Sequence, residues 1–188
     1  MSEFLADIRQ WRTIGQFQQH LGRYNPVISN WATRIVVHHT DKPTQAQWNG
    51  IQSVESLKRY YTKIGWTSGP HLFICANSRD PLNDGIFQLT PLNAPGTHAR
   101  SCNPYSWGIE VVGNYMNQRW DSATSQLVIG AITALCQWRN LNALDPNVIV
   151  GHRDCNETSC PGNAISLADI RRAVTYNRGQ SKEWYNHA

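Results

Sequence analysis

The sequence predicts a single α/β domain with a mixed central β-sheet flanked by helices. Two observations carry that expectation. Short β-branched runs of strand length alternate with stretches whose apolar residues recur at helical spacing, the pattern that puts helices on the faces of a sheet. In addition, the 188 residues, 40% hydrophobic and 16% charged, contain no repeat, linker or low-complexity segment. That length suits one full core. The expected boundaries are a helical extension over 1–30, a central domain over 31–175 and a tail over 176–188.

The elements follow in order. Residues 3–22 read as a helix ending near Gly22. "TRIVVHHT" (33–40) is apolar on both faces, as a central buried strand should be, with His38 and His39 as its polar exceptions. Ile51, Val54, Leu57, Tyr61 and Ile64 recur at spacings of three and four and predict an amphipathic helix over 51–64. "HLFICA" (71–76) and "GIFQLT" (85–90) read as strands joined by the turn-forming "NSRDPLND". "WGIEVVG" (107–113) is a strand interrupted by Glu110. Asp121 or Ser122 caps a helix reaching about Asn140, with Leu127, Ala131, Leu135 and Trp138 as its buried stripe. "NVIVGH" (147–152) is a strand ending in His152, and Ser166 opens a last helix through Leu167, Ile170 and Val174.

Composition excludes several classes. The net charge of +4 comes without a Lys/Arg run, so no nucleic-acid groove is expected. No apolar run approaches the roughly 18 residues of a membrane span. The opening "MSEFLADIRQWRTIGQF" carries Glu3, Asp7, Arg9 and Arg12, which breaks the apolar core of a secretory signal. Synthesis in the cytoplasm, as a monomer, is the expectation. The five cysteines are an odd number, so they cannot form a complete disulfide framework within the chain. Free thiols are the default in a reducing compartment. Cys75 and Cys136 fall in apolar elements and read as core residues. Cys102 and Cys155 fall in loops and are the pair that oxidation would join.

Polar residues that interrupt apolar strands mark the candidate site. They are His38 and His39 on one strand, Glu110 on a second and His152 ending a third. Buried polar groups need partners, and several on neighbouring strands suggest a shared one. With Cys160 close behind His152, zinc suits the donor set. A structural alternative uses the loop spacing His152-x2-Cys155-x4-Cys160. Alternation along the strand places His38 and His39 on opposite faces but does not choose between them.

"VVHHT" (36–40), "GPHLFI" (69–74), "GTHARSCNPYSWGIEVVGNY" (96–115) and "GHRDCNETSCPG" (151–162) occur in an order that resembles the zinc N-acetylmuramoyl-L-alanine amidases of type 2. That superfamily includes phage amidases and peptidoglycan recognition proteins, and the resemblance spans residues 31–165. It implies one zinc per chain on His38, His152 and Cys160, and cleavage of the amide joining N-acetylmuramic acid to L-alanine in peptidoglycan or soluble muropeptides. It further implies Glu110 as the general base, the alternative being a structural ion pair. Thr158 stands where many relatives carry Lys or Thr and is read as an oxyanion donor or a plain loop hydroxyl. His98, Asn103 and His71 read as substrate-binding, the alternatives being a plain surface loop for His98 and burial within its strand for His71. The tyrosine that one branch uses in a "GYxF"-like motif is replaced by Pro70. The biological expectation is a phage or prophage endolysin released to the wall by a separate lysis factor. The alternatives are a cytoplasmic recycling amidase and a binding module without activity.

Overall fold

The computed structural model describes residues 3–23 and 30–185, with side chains through Gly179. Six strands form one mixed sheet in the order β1-β4-β3-β5-β2-β6. They are β1 (Arg9–Trp11), β2 (Arg34–His39), β3 (Leu72–Cys75), β4 (Gly85–Gln88), β5 (Ser106–Val111) and β6 (Ile149–Gly151). The helices are α1 (Ile14–Leu21), α2 (Ile51–Lys63), α3 (Ser122–Trp138) and α4 (Leu167–Tyr185). The strands β3, β5, β2 and β6 are parallel neighbours, with β6 at one edge, and β4 and β1 add antiparallel pairings at the other.

Alternation along each strand feeds two layers. Ile35 and Val37 of β2, Leu72 and Ile74 of β3, and Trp107, Ile109 and Val111 of β5 pack against α1, α3 and α4 in the larger core. The opposite residues serve the other face. There Phe73, Cys75 and Phe87 pack under Val54 of α2 with Phe4 and Trp48. Val36 and Val150 lie under Ala99, Cys102 and Cys155 from two loops. His38 and Glu110, two residues on from Val36 and Gly108, share this second face.

Three expectations need correction. The helix expected over 3–22 is confined to α1, because residues before it pair with the sheet instead. Arg9, Gln10 and Trp11 face Gln88, Phe87 and Ile86 of β4. Upstream, the Leu5 and Asp7 amides donate to Thr67 and Leu89 carbonyls at 2.7 and 2.8 Å. Sheet pairing and burial of Phe4 and Trp11 outweigh weak local helix preference here. Thr13 then caps α1 by accepting from the Gln16 amide at 3.2 Å. Part of the 1–30 extension, residues 1–2 and 24–29, lies outside the described residues. The tail expected from 176 is helical through Tyr185 as the end of α4. For α3, Asp121 is the cap, accepting from the Thr124 amide at 2.8 Å.

The third correction concerns the cysteines. Cys102 and Cys155 form a disulfide across 53 residues, so the five free thiols expected from sequence become three: Cys75, Cys136 and Cys160, all buried. The bridge joins the 3-10 turn Arg100–Tyr105 to the loop after β6. Nothing in the local spacing shows this pairing, because the fold brings the loops together over β2 and the edge strand β6.

Candidate metal centre

The site lies at the C-terminal ends of the central parallel strands, where α/β sheets commonly bind ligands. His38 of β2 is in register with Glu110 of β5. Val37 is in register with Gly151 of β6, so His152, the next residue, arrives level with His38. Cys160 comes from the loop beyond. The potential ligand atoms of His38, His152 and Cys160 all lie within 4.8 Å of one another. Cys160 Sγ is 3.8 Å from His38 Nδ1, and the two imidazole rings are 4.5 Å apart between centroids. His39 points to the other side and accepts the Tyr115 amide on Nδ1 at 3.1 Å. Its backbone N–H faces Cys160 Sγ at 3.4 Å.

Glu110 borders this cluster. Its Oε1 is 3.8 Å from His38 Nδ1, its side chain is 13% exposed, and its Oε2 is buried without a hydrogen-bond partner. Burial raises the carboxyl to about 8. Burial also pushes the Cys160 thiol up to about 12, with the Glu110 charge adding to the rise. His38 is pulled well below the usual imidazole value by burial and then by its histidine neighbours. Burial lowers His152 as well, against the Asn156 hydrogen bond. Neutral imidazoles are what a metal needs, and a thiol gives up its proton to one. The chemistry of the donors therefore fits a cation: two imidazoles and a sulfur converge, and an orphaned carboxylate oxygen stands beside them.

A brace holds the Cys160 loop. The Arg153 guanidinium donates to the carbonyls of Gly162 and Ile165 at 3.0 and 2.8 Å, and its backbone N–H donates to the Cys160 carbonyl at 2.9 Å. Asp154 accepts the Gly151 amide at 2.8 Å. These two residues of "GHRD" escaped the sequence reading, although a charged pair beside a candidate ligand was a visible signal. Gly162 has φ +105, and a Cβ there would sit 2.3 Å from the Tyr115 carbonyl oxygen. Only glycine closes this loop onto the chain after β5.

The remaining candidates occupy distinct places. Thr158 is exposed on the loop and accepts the Cys160 amide on its hydroxyl oxygen at 3.3 Å. His98 is 7% exposed and lies behind His38, its Nδ1 3.1 Å from His38 Nε2 and its Nε2 3.2 Å from the Ser106 carbonyl oxygen. His71 is fully buried, with Nε2 3.0 Å from the Ala94 carbonyl oxygen and Nδ1 accepting the Gly108 amide at 3.0 Å. Of the two placements open for His71, the strand interior is the one found. Neither ring offers a substrate a nitrogen without a partner, so contact with substrate does not fit the geometry of either. Asn103 is half-buried, and its Oδ1 accepts the amides of His98 and Ala99 at 3.0 and 2.7 Å.

Known proteins resemble the chain in sequence and in fold. Peptidoglycan-recognition protein SC1a/b of Drosophila simulans is 28% identical over 148 residues, covering 76% of this chain and 75% of that protein. The N-acetylmuramoyl-L-alanine amidase LysC from Clostridium intestinale URNW superposes with a TM-score of 0.61 at 22% identity, over 79% of this chain and 88% of that one. A Drosophila PGRP-LB mutant in complex with tracheal cytotoxin gives a TM-score of 0.57 at 22% identity, over 74% and 79% of the two chains. The family model described as N-acetylmuramoyl-L-alanine amidase matches residues 29–163, which contain every candidate site residue. With most of its length matched in this way, the chain belongs to the N-acetylmuramoyl-L-alanine amidase family.

Proposed function

We propose that the protein is a zinc hydrolase that cleaves the amide between N-acetylmuramic acid and L-alanine in peptidoglycan, with one zinc per chain on His38, His152 and Cys160. The observation that carries this reading is Glu110 Oε2, buried without a partner beside three converging ligands. An unpaired buried carboxylate oxygen is costly and calls for a ligand to engage it. Three protein ligands, with a fourth position left for water or substrate, are the usual set of a catalytic zinc site. Zinc bound there supplies a Lewis acid for the scissile carbonyl and acidifies the attacking water. Glu110 accepts the proton of that water and returns it to the leaving amine nitrogen. The positive centre restores its ordinary acidity, which burial alone opposes. Thr158, on the exposed rim of the Cys160 loop, donates its hydroxyl to the developing oxyanion.

The match to the N-acetylmuramoyl-L-alanine amidase family supports the reaction, and the similarity to peptidoglycan-recognition proteins supports the substrate. Those relatives also favour a second reading, a module that binds peptidoglycan without cutting it. Retention of Cys160 together with an unpaired Glu110 oxygen favours catalysis. The Cys102–Cys155 disulfide supports action outside the reducing cytoplasm. This favours an endolysin that reaches the wall through a separate lysis factor over a cytoplasmic recycling enzyme. Among the described residues no helix is long and apolar enough to cross a membrane.

The test is digestion of purified sacculi followed by mass spectrometry of the released material. Free peptides with new N-terminal L-alanine and intact glycan strands are expected. New reducing sugars overturn the amidase reading, and binding without release at any pH, with zinc bound, establishes the recognition module.

A further inference from the structure

Behind His38 runs a chain of hydrogen bonds whose direction is set by the backbone. The Ser106 carbonyl oxygen can only accept, so His98 Nε2, 3.2 Å away, carries a proton. The Ser106 hydroxyl, 3.5 Å from the same nitrogen, already donates to the Cys102 carbonyl at 2.5 Å and leaves its lone pairs toward His98. A neutral His98 protonated on Nε2 has a lone pair on Nδ1. That nitrogen faces His38 Nε2 at 3.1 Å, so His38 must donate from Nε2. His38 Nδ1 then holds the free lone pair, and it is this nitrogen that faces Cys160 Sγ and Glu110 Oε1, each at 3.8 Å.

We infer that His98 is a positioning residue for the metal: it accepts the Nε2 proton of His38, fixing that ring's tautomer and orientation so that Nδ1 is presented to the ligand cluster. The inference rests on the zinc reading above and assigns His98 a role different from substrate contact. The surroundings of His98 fit the role. Its ring lies against Gly108, where a Cβ would come within 2.5 Å of His98 Cγ. Asn103 Oδ1 fixes its backbone through the His98 and Ala99 amides. His71 holds the Gly108 amide from the other side, so the strand that receives His98 is itself fixed. A metal-ligating histidine ordinarily gives its second N–H to a carboxylate, a carbonyl or water, and loss of such a partner weakens metal binding. Here an imidazole anchored on a carbonyl takes that place.

Two measurements test this. In the metal-free wild-type protein, long-range 1H–15N correlation of labelled histidines should show His38 and His98 both protonated on Nε2. A proton on His98 Nδ1 overturns the inference. In the second, zinc affinity is read by competition with a chromophoric chelator for two variants of similar polarity. His98→Asn keeps a carbonyl near the position of Nδ1; His98→Gln places its amide near Ser106 and leaves the His38 N–H without its acceptor. His98→Gln should lose about 10–100-fold in zinc affinity, and His98→Asn should lose clearly less, with metal-free melting temperatures of the two lowered alike. Equal affinities, or equal losses, overturn the inference. A wild-type protein that binds no zinc overturns the proposed function instead, and the tautomer measurement still decides the direction of the chain.

Discussion

Removing the Cys102–Cys155 bridge, by the paired changes Cys102→Ala and Cys155→Ala, should cost the protein a large share of its stability. The cross-link closes a loop with a sequence separation of 53. The chain-entropy relation gives about 14 cal/mol/K for a loop of that length, or about 4 kcal/mol at 25 °C. Folded domains of this size are stable by only about 5–15 kcal/mol, so the loss is severe without being total. A loss of that size lowers the melting temperature by roughly 8–16 °C for a chain this long. The bridge also covers Val36 and Val150, so part of the loss falls on packing in the strands that carry His38 and lead into His152. Guanidinium unfolding of the oxidised wild-type protein, the reduced wild-type protein and the double variant provides the assay. The last two should coincide, and reductant should leave the double variant unchanged. Thiol titration of the denatured, metal-free wild-type protein should find three. Five thiols, or a double variant as stable as the oxidised protein, would refute the pairing and the reasoning built on it.

Other outcomes follow from the same geometry. Cys160→Ala, His38→Ala and His152→Ala should each abolish stoichiometric zinc binding while Cys155→Ala retains it; the reverse pattern for the two cysteines restores the structural loop site. Arg153→Ala leaves the Gly162 and Ile165 carbonyls without their donor. It should lower stability by about 1–3 kcal/mol and weaken zinc binding through the Cys160 loop, as read by denaturation and chelator competition. Burial pulls His71 down to about 4, only the Ala94 carbonyl opposing it. Its stabilising contribution is therefore present above pH 6.5 and is lost as pH falls toward 4, worth about 3 kcal/mol; an NMR titration showing His71 protonated near pH 6.5 contradicts this.

Much of the sheet was legible because the strands are long in apolar residues and buried on both faces, as in "TRIVVHHT" and "WGIEVV". The convergence of His38, Glu110 and His152 was legible because polar residues in such strands have few other reasons to be there; Cys160 and the choice of His38 over His39 came from the resemblance. Residues 3–12 were misread for a physical reason: a short edge strand is defined by its partner, and the pairing with β4 is invisible in local propensity. The pair Cys102 and Cys155 was legible as the one oxidation would join, but free thiols were expected because cytoplasmic synthesis set the default and a separation of 53 residues carries no local signature. The roles of His71 and His98 were out of reach for another reason. A histidine's function depends on what each ring nitrogen meets, and the partners here are backbone groups of Ala94, Gly108 and Ser106. Sequence patterns carry no mark of a carbonyl's direction.

Glu110 separates cutting from binding, and also tests whether it is a structural partner. A structural ion pair would satisfy both carboxylate oxygens, yet here Oε1 has only the His38 nitrogen at 3.8 Å and Oε2 has no partner. Leaving such a group buried costs about 1–3 kcal/mol. A fold that only bound peptidoglycan would lose nothing by replacing it. Catalytic sites keep such costly groups because the reaction uses them, so removing one commonly stabilises the fold while ending activity. Glu110→Met, similar in length and apolar, should therefore raise the stability of the metal-free protein by about 1–3 kcal/mol. Glu110→Gln, which keeps hydrogen bonding but cannot take a proton, should retain zinc and peptidoglycan binding and lose about 10²–10⁴-fold in turnover. Urea unfolding and peptide release from sacculi measure the two effects independently. If Glu110→Met destabilises the fold, the carboxylate is part of its structure. If Glu110→Gln releases peptides at the wild-type rate, proton transfer belongs to another group.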